Sequence, residues 1–116
     1  MKHSWRVLSL VLLTSSLGAC VVYEPVPLAA PSPAQRFDRS WSAAAGAMAD
    51  QGVAVTQQDR GSGTIRGSRG AVLVSANVQT LADGRIQVRF DATGPAGVDT
   101  SLAHQLSESY DRRMGR

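Results

Sequence analysis

A chain of 116 residues with 43% hydrophobic and 18% charged side chains has room for one small domain built on a single core. One cysteine excludes an internal disulfide framework, so stability has to come from packing. The formal charge is only +3, and part of it lies in the first six residues, at Lys2 and Arg6.

The chain opens on a short positive region, Lys2, His3 and Arg6, followed by the apolar run Val7–Leu17, VLSLVLLTSSL. That run is too short to span a bilayer core, which takes about 20 residues, and it has the anatomy of a secretory signal. Leucine, two small residues and the cysteine come next, Leu17-Gly18-Ala19-Cys20. This pattern resembles the lipobox of bacterial prolipoproteins. The resemblance implies a signal peptide over 1–19 and cleavage between Ala19 and Cys20. It also implies diacylglycerol on the Cys20 thiol and acylation of the amino group then exposed. The chemistry suits the residues, because small side chains admit the backbone to a peptidase and sulfur is the better nucleophile for a lipid. One acyl chain binds marginally, whereas each buried methylene adds about 0.8 kcal/mol, so two or three chains anchor stably.

Loss of Lys2 and Arg6 with the signal leaves ten arginines against nine acids, close to neutrality. Nucleic-acid binding needs a clustered positive field and is not expected. Residues 20–35 hold Pro25, Pro27, Pro31 and Pro33, four of the five prolines, and read as an extended tether behind the lipidated cysteine. At about 3.1 Å per residue such a tether reaches up to roughly 45 Å. Neither Val21 nor Val22 matches the aspartate that retains many such lipoproteins in the inner membrane, so the resemblance implies the outer membrane, facing the periplasm.

Residues 36–116 are expected to form one α+β domain. Phe37, Trp41, Ala44, Ala45 and Met48 recur at helical spacing, with Asp38 or Ser40 as candidate caps and Gly52 after the end. Val53 begins a strand, Asp59–Gly63 turns, and Thr64–Gly67 returns. Val72, Val74, Ala76 and Val78 then alternate in one strand, and Ile86, Val88, Phe90 and Ala92 in the next. A three-residue Ala82-Asp83-Gly84 loop sets Val78 opposite Val88 and Ala76 opposite Phe90. A two-residue loop would put the apolar sets on opposite faces, so burial selects the longer one, with Gly84 left-handed. Thr93–Gly97 reads as a loop. Asp99 or Thr100 caps a last helix with Leu102, Ala103, Leu106, Tyr110 and Met114 on one stripe. The economical architecture is an antiparallel sheet of three or four strands, with the N-terminal and C-terminal helices packed on one face. The Trp-bearing helix, the stretch GVAVTQQDRGSGTIRG, the hairpin and the closing helix are similar to the small α-β-β-β-α domains of bacterial lipoproteins with no assigned activity.

Chemistry is sparse. In GSGTIRG the third glycine falls one residue late for a dinucleotide fingerprint, and the stretch joins two strands instead of opening a helix. Past Cys20 there is no thiol, no lysine for a Schiff base, and one histidine, His104, on the polar side of the last helix near Glu108. No cluster has metal-ligand spacing, and neither a metal nor a cofactor is expected. Phe37 and Trp41 read as core. The arginines remain. Arg60, Arg66 and Arg69 gather around the second strand, and Arg85 and Arg89 lie along the last. They form a candidate contact surface for an envelope protein carrying carboxylates or for anionic lipid headgroups. The competing reading is a solvated sheet face with Gln87 and Asp91 interspersed. The expectation is a lipid-anchored, non-catalytic binding module of the cell envelope. The alternatives are a purely structural envelope lipoprotein and an accessory domain of an envelope hydrolase.

Overall fold

A computed structural model describes residues 30–116. The expected signal segment 1–19, Cys20 of the expected lipobox and the expected tether through residue 29 lie outside the described residues.

The first helix, α1 (Pro33–Asp50), begins earlier than its apolar spacing predicts. Ser32 is the cap: its Oγ accepts from Gln35 N at 3.1 Å, and Gln35 Oε1 accepts from Ser32 N at 2.8 Å. Pro33 sits in the first turn, where its missing N–H costs no helical bond. Residues 33–35, read from sequence as the end of the tether, are thus helix. Neither Asp38 nor Ser40 caps it: Asp38 pairs with Arg60, and Ser40 is buried. The proline that looked like tether punctuation is a helix start.

Five strands follow in an antiparallel meander: β1 (Ala54–Asp59), β2 (Thr64–Arg69), β3 (Val72–Thr80), β4 (Ile86–Gly94) and β5 (Gly97–Val98). Val78 pairs with Val88 and Ala76 with Phe90, the register that burial requires. The turn closes through Leu81 N to Arg85 O at 2.7 Å and Gly84 N to Leu81 O at 2.9 Å, with Gly84 at φ 87°. The loop expected over 93–97 is instead a tight hairpin. Thr93 pairs with Val98, Gly94 with Gly97, and Asp99 N donates to Ala92 O at 2.9 Å. This adds a fifth strand to the three or four expected. Two residues are too few to show a period, which is why sequence patterning misses it.

The closing helix, α2 (Thr100–Arg113), is capped by Asp99, whose Oδ1 accepts from Leu102 N at 2.9 Å. Both helices lie on one face of the sheet. Trp41, Ala44, Ala47 and Met48 of α1 and Leu102, Leu106 and Tyr110 of α2 are buried against Ile65, Val74, Ala76, Val78, Phe90 and Ala92. Phe90 and Tyr110 meet edge to face at 6.0 Å, an arrangement that adds to simple area burial. A bulge between Val55 and Gln57 flips the parity of β1. It turns Gln57 outward and brings Gln58 inward, where Gln58 Oε1 accepts from the Trp41 indole N–H at 3.3 Å.

The two helices are tied at one end by charge. Asp50 Oδ1 and Oδ2 accept from Arg113 Nη2 and Nε, both at 2.7 Å, and Oδ2 also accepts from Ser109 Oγ at 2.7 Å. Gly46 makes room, because a Cβ there would lie 2.5 Å from the Arg113 guanidinium carbon. The Arg113 guanidinium, then the Ser109 hydroxyl, hold the Asp50 carboxyl far below the usual carboxylate range. A depressed carboxylate contributes stability that is complete above its unfolded pKa, about 3.9, and is lost as pH falls toward the folded value. Thermal melts from pH 7 to pH 2.5 are therefore expected to show a loss setting in below about pH 4. Asp50→Asn is expected to lower the pH 7 melting temperature and to remove much of that acid-dependent step.

Candidate functional site

With both helices on one side, the other face of the sheet is open. Alternation sends Leu73, Ser75, Asn77 and Gln79 of β3 outward, with Gln87, Arg89, Asp91 and Thr93 of β4 and Thr64, Arg66 and Ser68 of β2. The face forms a shallow concavity of about 920 Å³. Pairing arranges these side chains in rows across the strands. Arg66, Ser75 and Asp91 share one row, and Asp59, Thr64, Asn77 and Arg89 the next. At the far end Ala54, Ser68, Leu73, Thr93 and Val98 form a third.

The five arginines singled out from sequence separate into two groups. Arg60 lies over the rings of Phe37 and Trp41, 5.6 and 5.4 Å from their centroids, and pairs with Asp38. It covers the outer edge of the core and is committed there. Arg69 donates from Nη1 to Gln51 O at 3.1 Å, bracing the end of α1. Arg85 pairs with Asp83 at 2.6 Å within the β3–β4 turn. Its backbone N–H, then its guanidinium, hold the Asp83 carboxyl below the ordinary range. Arg66 and Arg89 alone share the open face, and among the described residues neither makes an ion pair or a side-chain hydrogen bond. Asp91, in the same row as Arg66 and two residues from Arg89 on β4, likewise has no partner among the described residues. The candidate surface narrows from five arginines to two, with one acid.

Patterning gave two further features unequally. Leu73 sits at an outward position of β3, so its 68% exposure follows from parity. Val98, 73% exposed, could not be placed without β5. The pair leaves an apolar end on an otherwise polar face.

The rest of the molecule offers little chemistry. Gly61 and Gly63 of the glycine-rich stretch lie within the β1–β2 turn, where Asp59 Oδ1 accepts from Gly61 N at 3.0 Å, and no helix begins there. His104 lies 2.9 Å from Glu108 on the exposed side of α2. Among the described residues no three His, Cys, Asp or Glu side chains are grouped to hold a metal ion, and no helix is long and apolar enough to cross a membrane.

Nor does descent supply a role: no family model matches the chain, and neither a curated protein nor a solved structure matches it.

Proposed function

We propose that this protein is a lipid-anchored binding module of the bacterial cell envelope, held by Cys20 and presenting the open sheet face to a partner. The observation that supports it is the pair Arg66 and Arg89, set two strands apart on a polar surface and without side-chain partners among the described residues. Charges held for packing alone tend to be paired, as Arg60, Arg85 and Arg113 are. An outer strand could serve instead by accepting an added strand. The bulge at Thr56 disfavours that for β1, since bulges blunt an edge against pairing. The face is the better surface.

The test is capture from gently solubilised membranes. Wild type is expected to retain a defined partner band. Arg66→Glu and Arg89→Glu are each expected to reduce it severalfold, and Arg85→Glu, in a turn off the face, to leave it unchanged. Equal retention by all four proteins would contradict the reading and favour a purely structural envelope role.

A further inference from the structure

We infer that the partner of the open face is a second copy of this chain, packed sheet against sheet about a two-fold axis that runs along β3. The inference rests on the reading of that face as the contact surface.

A two-fold interface has to be self-complementary, because each residue that touches another is touched by the same one in return. An axis along β3 lays β2 over β4 of the second copy, β1 over β5, and β3 over itself. The rows then decide. In the row Arg66–Ser75–Asp91, Arg66 of each copy falls over Asp91 of the other, giving two ion pairs from two of the three charges on each face that have no partner among the described residues. In the next row Arg89 falls over Thr64, beside the Asp59 carboxylate. In the end row Leu73 falls on Leu73, and Val98 on Ala54. The two large apolar side chains that the described residues of each copy leave in water are thus covered in one operation. An axis perpendicular to the strands does worse. It opposes Leu73 to Gln79 and leaves the apolar end against polar side chains.

Size fits a dynamic dimer. The five strands hold 6, 6, 9, 9 and 2 residues, and at about 4.8 Å across and about 3.4 Å along they cover a face of roughly 500 Å² per copy, near the low end for specific interfaces. A common lipid anchor confines both copies to one surface and raises their effective concentration, which compensates for modest affinity. Two twisted sheets stacked this way cross at about 30°, keeping the rows near the axis in register.

The test is cross-linking of the full lipoprotein in membrane vesicles under a mild thiol oxidant. Leu73→Cys is expected to yield a disulfide dimer, because the axis sets this position against its own copy, while wild type and Arg85→Cys stay monomeric. In the Leu73→Cys background, Arg66→Asp and Asp91→Arg each replace two attractions with two repulsions and are expected to cut dimer yield about tenfold. The double variant Arg66→Asp with Asp91→Arg restores opposite charges and is expected to recover it. Arg66 and Asp91 are exposed, so neither swap threatens the core. A Leu73→Cys protein that stays monomeric overturns the inference, as does a dimer indifferent to the swaps. If Leu73→Cys stays monomeric while Arg66→Glu still releases a different captured protein, self-association fails and the binding face stands.

Discussion

Changing Cys20 to serine is expected to remove the protein's stable hold on the membrane. A hydroxyl is a far weaker nucleophile than a thiolate, so the side chain would accept no diacylglycerol, and cleavage that follows lipidation would not occur. The energetic difference is large. Each methylene buried in the bilayer is worth about 0.8 kcal/mol, so one chain of a dozen or more holds reversibly and a second makes release negligible. Among the described residues no helix is long and apolar enough to cross a membrane. Wild type is expected in the membrane fraction with incorporated palmitate. Cys20→Ser is expected to take up none, to run as the longer precursor, and to be released by salt or carbonate washes that leave wild type in place.

The second large effect is expected in the core. Leu106 is fully buried where α2 meets the sheet, in the same cluster as Phe90, Met48 and Leu102. Leu106→Ala removes that contact area and leaves a cavity that close-packed neighbours fill only in part, at a cost of about 2–5 kcal/mol. For a domain of this size each kcal/mol shifts the melting temperature by about 4–8 °C, so a fall of at least about 8 °C is expected. A small α+β domain has little stability to spare, and the variant would be partly unfolded at physiological temperature. Leu73→Ala is the internal control. The same chemical change at a side chain 68% exposed is expected to alter stability by no more than about 0.5 kcal/mol. Calorimetry of the two variants separates the packed face of the sheet from the open one. Similar losses from both would mean that Leu73 is covered, within the folded chain or by a second copy.

Most of the fold was legible because its strands are half-buried, and half-burial leaves a period of two. The Val72–Val78 and Ile86–Ala92 alternations fixed the register of the central hairpin and the length of its turn. What was not legible had no period. The start of α1 depended on a reciprocal bond between Ser32 and Gln35 among proline-rich residues that read as tether. The bulge at Thr56 hides the pairing of Gln58 with Trp41, and β5 is too short to alternate.

The site was legible in outline only. Sequence placed three arginines around the second strand and two along the last, but which are free is a matter of tertiary pairing. Asp38 lies 22 residues from Arg60 and takes it, and a carbonyl at the end of α1 takes Arg69. Arg66 and Arg89 stand free because the acids near them in space serve turns and caps, or, as with Asp91, face solvent alone. Nothing local in the chain distinguishes these cases.

The proposed membrane anchor rests on how the chain begins once processed. Intact-mass and N-terminal peptide analysis of protein extracted from membranes in mild detergent addresses that directly. The predicted result is a terminus at Cys20 carrying a diacylglycerol on sulfur and an acyl group on nitrogen. A free Cys20 thiol, or a first residue other than Cys20, would contradict it.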